Sequence, residues 1–255
     1  MNYLYKISSI IKEFLHINNR LICPCCKGRF PKFLPHGITQ RPNARCPKCG
    51  SLERQRLLWL YLQNKTNLFF ENLKVLHVAP EKVFQNSFIT MPNLDYVSVD
   101  IQSSLAMVKM DITNISYADN SFDVILCVHV LEHILDDQKA MKELFRVLKP
   151  GGWAILQVPI NLKQEKTFED SSVVLPEDRK CIFGHPDHVR IYGRDYQNRL
   201  KEAGFVVKVD SYARDLGIDM LRKYSLKEHE EIYFCTKQNQ KQVLDGEQCE
   251  VVLNK

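Results

Sequence analysis

Two groups of side chains in this sequence have the types and spacing to do chemistry. The first is a set of four cysteines, Cys23 and Cys26 in "CPCCKG" and Cys46 and Cys49 in "CPKCG". A C-x2-C pair, 19 intervening residues and a second C-x2-C pair make two knuckles whose thiolates supply the tetrahedral shell of a structural Zn²⁺. Gly28 and Gly50 let backbone amides face the sulfurs, and Cys25 is a spare thiol. With four sulfur ligands no position is left for a catalytic water, so the metal holds a fold. The second group is Glu169, Asp170, Arg179, His185, Asp187, His188, Arg190 and Tyr192, crowded into about 30 residues without clear periodicity. Loops of this length in a compact domain are usually lids or binding segments. His188 is the candidate general base for a hydroxyl or amine nucleophile, with Asp187 or Glu169 to orient it. The alternative is structural, an ion pair between Asp187 and Arg190 that pins the lid.

The elements that must position these groups follow from periodicity. Leu4, Ile7, Ile10, Ile11, Phe14 and Leu15 predict a short amphipathic helix over residues 1–19. Residues 20–52 form a ribbon around the cysteines. A linking helix follows over 53–72, with Ser51 as its cap and Leu57, Leu58, Tyr61 and Leu62 as its apolar stripe. From Leu73 to Lys237 strands and helices alternate, which predicts an α/β domain with a mostly parallel sheet covered on both faces. Within it, Ala140, Leu144, Val147 and Leu148 share one helical face, and Pro150, Gly151 and Gly152 end that helix. A polar tail occupies 238–255, with Asp245 and Gly246 as a turn signal.

Composition narrows the function classes. The longest apolar runs fall short of the roughly 20 residues of a membrane span. Lys6, Lys12 and Glu13 break any secretory signal near the N-terminus, so the expectation is a cytoplasmic protein with no membrane partner. Nine cysteines in such a compartment favour metal ligation and buried thiols over disulfides. The net charge of +5 is uneven: nine basic residues against Glu53 alone between Arg20 and Arg56 leave −3 for the rest. That field attracts anions such as RNA phosphates, or it is a solvated surface. Phe30 and Phe33 alternate with these charges as a base-stacking surface would, although a small ribbon needs aromatics for its core, which is the favoured reading.

The segment "LKVLHVAPE" begins as a buried strand and turns at Pro80, and "DYVSVD" ends a second strand at Asp100 about 20 residues later. This is the outline of a βαβ unit for an adenosine cofactor, without its glycines. The run "NSFDVILCVHVLEHI", continued by "KAMKELFRVLKPGGWAILQVPI", resembles class I, Rossmann-like S-adenosylmethionine-dependent methyltransferases of the type 11 subgroup, over roughly residues 72–210. The resemblance implies a seven-stranded sheet with the final strand antiparallel, and S-adenosyl-L-methionine as cofactor beside the ribbon's Zn²⁺. It also implies where the cofactor contacts fall. His77, Ala79 and Glu81 replace the family's acid and two glycines at the methionine end, with Pro80 at the first helical position. Asp100 takes the ribose-binding position. Asp111 and Ile112 take the adenine positions, although Asp111 could equally cap a turn. Cys127, Val128 and His129 follow the fourth strand, where backbone contact is expected and Cys127 is a buried thiol. Glu132 and His133 read as scaffolding near the cofactor, and a His129/His133 metal pair spaced i and i+4 lacks a third ligand.

Three functions fit this sequence: methylation of a small-molecule or glycan-like acceptor held by the charged lid, methylation of RNA gripped by the basic ribbon, and a non-catalytic interaction module. The acceptor, its reacting atom and the oligomeric state are not encoded legibly.

Overall fold

The computed structural model describes residues 21–37 and 39–239. The expected N-terminal helix, and the tail beyond Asn239 with its turn signal, lie outside them. The chain divides into two compact units. Among the described residues the first comprises the chain up to Phe70 together with Ser211–Glu231, and the second comprises Glu71–Asp210 and the chain from Ile232.

The first unit starts with two small antiparallel hairpins, β1 (Leu21–Ile22) with β2 (Arg29–Phe30) and β3 (Leu34–His36) with β4 (Arg41–Arg45). They are followed by α1 (Glu53–Lys65). Ser51 does not cap this helix. The chain enters it through Leu52, whose N–H donates to the Gln55 side chain at 2.8 Å. Ser51 is fully buried instead, with its hydroxyl 3.1 Å from Cys23 Sγ and 3.2 Å from Cys49 Sγ. Arg56 on α1 is also fully buried. Its guanidinium has five donors and no acceptor, and it donates to the carbonyls of Ala44, Ser51, Tyr224 and Ser225 at 2.7–2.9 Å. It also lies over the Phe33 ring, 4.5 Å from the centroid. Arg56 thus ties the short helices Tyr212–Asp215 and Gly217–Tyr224 into the ribbon's unit, whereas the sequence suggested one continuous domain from 73 to 237.

The second unit is the α/β domain. In chain order it contains β5 (Leu73–Val78), α2 (Lys82–Phe88), β6 (Leu94–Asp100), β7 (Val108–Lys109), β8 (Phe122–Val128), a 3-10 turn (Leu131–His133) and α3 (Asp137–Val147). Then come β9 (Leu148–Gln157), β10 (Phe168–Glu169), α4 (Pro176–Phe183), β11 (Arg190–Ile191), α5 (Tyr196–Glu202), β12 (Val206–Asp210) and β13 (Ile232–Thr236). Seven strands form one sheet in the order β12-β13-β9-β8-β5-β6-β7. β13 runs antiparallel to β12 and β9, and the other pairings are parallel. This is the Rossmann-like architecture expected from the sequence, final antiparallel strand included.

Local chemistry explains the framework. β8 is buried at six of its seven positions, as a central strand between two neighbours must be. α3 is capped by Asp136, which accepts the Lys139 N–H at 2.9 Å. The helix buries Ala140, Met141, Leu144 and Val147, and the three larger side chains stabilise it by about 1.5–3 kcal/mol each. The expected stop at Pro150 comes earlier: the helix ends at Val147 and β9 already includes "KPGG". Gly152 is required there, because a Cβ would lie 2.7 Å from the Asp123 carbonyl oxygen, at the irregularity between β8 and β9. The chain runs outward from β5 through β6 and β7 and returns to β8 on the other side of β5. The strand order therefore reverses between β5 and β8, and open α/β sheets bind ligands outside the carboxyl ends at such a point.

Candidate functional site

At the carboxyl end of β5, Ala79 has φ +47° and donates its N–H to the Val99 carbonyl at 2.8 Å. The left-handed region favours glycine, so Ala79 keeps the backbone path of a glycine turn while carrying a methyl group. Glu81 occupies the N-cap of α2, and its carbonyl accepts from Phe84 and Gln85 at 2.9 and 3.0 Å. Pro80 consequently precedes the cap and does not open the helix. His77 departs most from expectation. Its side chain is 1% exposed, packed among Phe84, Phe88 and Tyr96 with ring centroids 6.0–6.3 Å away. Its Nδ1 is 2.9 Å from the Tyr96 hydroxyl, and burial pushes its pKa down to about 3. The imidazole is a neutral core group and does not line a pocket.

Asp100 and Asp111, at the ends of β6 and β7, share one device. Asp100 Oδ1 accepts the N–H groups of Gln102 and Ser103, both at 2.7 Å, and Asp111 Oδ1 accepts that of Thr113 at 2.8 Å. Each carboxylate gives Oδ1 to its own turn, so the turn-capping alternative for Asp111 is present, and Asp100 likewise caps its turn. Ile112 is 4% exposed and belongs to the core, so its side chain packs inward.

At the end of β8, Cys127 is fully buried, with its pKa raised by desolvation, and Val128 is 6% exposed. His129 has φ +55° and donates its backbone N–H to the Gln157 carbonyl at 2.7 Å. Its Nδ1 is 3.1 Å from Glu132 Oε1. His129 Nε2 and Glu132 Oε2 are both buried without a hydrogen-bond partner among the described residues. Buried polar atoms left unmatched cost about 1–3 kcal/mol each and mark a place where a polar ligand fits. The i, i+4 pairing of His129 with His133, already disfavoured for want of a third ligand, also lacks its helix, because Leu131–His133 is a single 3-10 turn. Ala79, Glu81, Asp100, Asp111 and His129 thus lie along one edge of the sheet, flanking the strand reversal, and they fit an adenosyl amino acid.

The lid contains three short elements with too few residues for a legible period. β10 and β11 pair antiparallel, and α4 lies between them. Glu169 does not orient His188. Its carboxylate accepts from Arg190 Nε at 2.9 Å and from Arg199 Nη2 at 2.6 Å. Asp187 does not orient His188 either, because its carboxylate is exposed and nearest to His185 Nδ1, at 3.9 Å. The Asp187–Arg190 ion pair is absent for the same reason: Arg190, 3% exposed, is engaged by Glu169 and by the carbonyls of Leu131, Ile134 and Leu135. Tyr192 donates to Asp137 Oδ2 at 2.7 Å, which Arg199 also reaches. His188 is half-buried, which lowers its pKa, and its ring lies 4.8 Å from those of His133 and His185. This gathering of three histidines was not anticipated, though "EH" and "HPDH" were its visible signal.

In the ribbon, the sulfurs of Cys23, Cys26, Cys46 and Cys49 lie within 4.8 Å of one another, with Cys23–Cys49 at 3.5 Å and Cys26–Cys46 at 3.7 Å. Zn–S bonds of about 2.3 Å in a tetrahedron require edges of about 3.8 Å. The Gly28 amide faces Cys26 and the Ser51 amide faces Cys49, so the donor set fits a zinc ion. Cys25 stays outside it, 3.9 Å from the Gln55 carbonyl. The Cys23 contact and burial push the Cys49 thiol up to about 12. Phe33, 2% exposed, is core as favoured, in edge contact with Phe30 at 6.0 Å. Among the described basic residues, Arg56 is spent on carbonyls and Arg41 on Glu53 at 3.0 Å. Lys27, Arg29, Lys32, Arg45 and Lys48 are exposed.

The sheet order is that of a Rossmann-like domain, with turn-capping carboxylates at the carboxyl edge. Residues 76–156 match the family model described as a methyltransferase domain. Among curated proteins the chain is similar to a ubiquinone/menaquinone biosynthesis C-methyltransferase of Pseudoalteromonas translucida, 31% identical over 32% of this chain and 27% of that protein. It is also similar to the Klebsiella pneumoniae protein of the same description, 25% identical over 54% of this chain and 60% of that one. A tRNA U34 carboxymethyltransferase of Campylobacter curvus is 28% identical over 32% of this chain and 28% of its own. The chain thus spans between about a quarter and 60% of the length of these relatives. Among solved structures, an S-adenosylmethionine-dependent methyltransferase from Mesorhizobium loti aligns over 70% of this chain and 97% of its own, with 13% identity and a TM-score of 0.49. No helix among the described residues is long and apolar enough to cross a membrane.

Proposed function

We propose that the protein transfers a methyl group from S-adenosyl-L-methionine to a small, polar, glycan-like acceptor, with Zn²⁺ holding the four-cysteine ribbon. The observation that carries this reading is the coincidence of the methyltransferase-domain match with the ligand-accepting groups at the strand reversal. The cofactor supplies an electrophilic methyl carbon on a sulfonium. Asp100 Oδ2 accepts a ribose hydroxyl and Asp111 Oδ2 the adenine amino group, through charge-assisted bonds. Glu81 faces the ammonium of the methionine part, and Ala79 with Val128 and His129 lets the backbone pass close beneath it. A cleft of about 360 Å³ beside the lid suits a hydroxyl-bearing acceptor: Asp136, Glu169, Asp170, Arg179 and Arg190 border it. Transfer is an in-line displacement, so the lid's task is to align the nucleophile and exclude water. His188 presents a neutral ring nitrogen that can take the acceptor's proton.

The test uses purified protein, cofactor with a labelled methyl group, and extract separated into metabolite, glycan, RNA and protein fractions. Label in the metabolite or glycan fraction supports the proposal. Label in RNA would favour the second reading, which rests on the five exposed basic side chains of the ribbon. RNA binding would weaken steeply with salt, because phosphate contacts release counterions. Absence of cofactor binding by calorimetry would leave the third reading, an interaction module.

A further inference from the structure

The lid brings together three imidazoles that the sheet edge does not use. His133 ends the 3-10 turn after β8, while His185 and His188 follow α4. One ring nitrogen of each lies within 4.8 Å of the others. We propose that His133, His185 and His188 form a site for a divalent transition-metal ion of the zinc class, with one coordination position left to an oxygen ligand.

Ring orientation supports this assignment. His133 Nδ1 lies 3.1 Å from the Asp187 backbone carbonyl, which can only accept, so Nδ1 carries the proton and Nε2 keeps its lone pair. A second ring nitrogen held by a backbone carbonyl is the usual support of a metal-bound histidine, because it fixes the tautomer that ligates. His185 Nδ1 accepts the Asp187 N–H at 3.3 Å, a long bond that a turn of this exposed ring exchanges for a metal. Zn–N bonds of about 2.0–2.1 Å place tetrahedral ligand atoms about 3.4 Å apart, a contraction within the reach of side-chain rotation.

The scaffold and the charge point the same way. The Val189 N–H donates to the Glu132 carbonyl at 3.0 Å, and Arg190 grips the carbonyls of Leu131, Ile134 and Leu135, so the two histidine-bearing segments are clamped together. Next to His133, the Glu132 carboxylate is 1% exposed, and its Oε2 has no hydrogen-bond partner among the described residues. A nearby cation would give that buried, unpartnered oxygen an electrostatic partner. Three imidazoles favour zinc, cobalt, nickel or copper over magnesium or calcium. Three protein ligands with one open position are the pattern of zinc sites that bind water or substrate, in contrast to the closed four-sulfur shell of the ribbon. At the lid the open position would take an acceptor oxygen, whose proton the ion would acidify, so that with the metal bound His188 acts through it and not as the base itself. The site rests on the placement of the lid, and its test does not require methyl transfer.

The untagged full-length chain, saturated with Zn²⁺ and passed through a desalting column, is assayed for bound metal alongside His185→Ala and His188→Ala. The wild type should retain one metal per chain more than either variant, whatever the cysteines hold. Co²⁺ added to wild type loaded with only one zinc per chain, which the four-sulfur shell takes first, should give visible d–d bands without a growing thiolate charge-transfer band, and azide should shift them. His185 is the safest position for folding because its side chain is 49% exposed, and matched thermal melting of the variant without added metal checks this. Equal metal content in all three proteins, or cobalt bands that persist in His185→Ala, would overturn the site and leave the His188 lone pair to act as a base. A spectrum unmoved by azide would remove the open position.

Discussion

The buried histidine of β5 makes a sharp prediction. His77 is neutral in the folded protein because full burial among Phe84, Phe88 and Tyr96 lowers its pKa to about 3, whereas an unfolded chain protonates it near 6.5. Between those values the unfolded state binds one more proton than the native state, so unfolding free energy rises with pH. The stability held by the neutral ring is complete above about pH 6.5 and is lost as pH falls toward about 3. Integrated from pH 7 to pH 5, this single group removes about 2 kcal/mol. The control is His77→Phe, which keeps an aromatic ring in the cluster and removes the titration. It leaves the Tyr96 hydroxyl without its partner, but burial has raised the Tyr96 pKa well away from this window, so that cost is constant across it. The assay is denaturant unfolding at pH 7, 6 and 5, in a Trp59→Phe background. Trp153, stacked on Phe234 in the second unit with centroids 5.6 Å apart, is then the reporter. The wild type should lose about 2 kcal/mol more than His77→Phe between pH 7 and 5. Parallel pH profiles would mean that His77 is solvated or paired when charged, and the assignment of β5's inward face would be wrong.

Four shorter expectations accompany it. Ala79→Gly should stabilise the second unit by about 1 kcal/mol by relieving φ +47°, and a loss of stability in the same assay would show that the methyl group packs favourably. Asp100→Asn retains an oxygen for the Gln102 and Ser103 amides, so its effect on cofactor affinity, a loss of about 10–100-fold by calorimetry, isolates the charge-assisted ribose bond; a change within about twofold removes Asp100 from the site. Stripping zinc with a chelator should collapse the first unit, read by Trp59 fluorescence, while Trp153 is unmoved, since structural zinc contributes on the order of 10 kcal/mol to such modules. Arg190→Met leaves the carbonyls of Leu131, Ile134 and Leu135 without its guanidinium and Glu169 with Arg199 as its remaining donor. It should cost about 3–5 kcal/mol, and a loss below about 1 kcal/mol would show that the lid is held elsewhere.

The parts legible in sequence were those with a period or a fixed spacing. β5, β6 and β8 are apolar runs long enough to read, α3 has a four-residue stripe, and the cysteine knuckles carry their geometry in their spacing. The segment Ser211–Glu231 was not legible as part of the ribbon's unit, because what assigns it is a set of backbone carbonyls around Arg56, and carbonyls leave no trace in side-chain identity. The same holds for Ser51, whose type suits a helix cap, yet whose hydroxyl meets two thiols. The positions carried over from the family resemblance lie along the carboxyl edge of the sheet, but their side chains differ in direction: His77 and Ile112 point into the core, while Asp100 and Asp111 each give one oxygen to their own turn.

The lid motif "DHVRIYG" shows how structure separates the functional residues from the supporting ones. Arg190 is consumed by Glu169 and three carbonyls, and Tyr192 by Asp137. Gly193 is demanded by space, since a Cβ there would sit 2.6 Å from the Lys166 carbonyl carbon. These residues have structural reasons to be what they are. An alanine at position 188 would satisfy the same backbone, because the His188 N–H donates to the His185 carbonyl regardless of side chain. The imidazole at 188 is therefore not required by the backbone, and the exposed ring at 185 accepts only the long Asp187 N–H at 3.3 Å. Substituting His188 by alanine should accordingly leave the melting temperature within about 2–4 °C of the wild type while lowering methyl transfer by about 100-fold or more, the range for loss of a group acting on the reacting proton. A variant that melts much earlier yet turns over normally would reverse the division, making the histidine a packing residue and moving the chemistry to the His129–Glu132 pair.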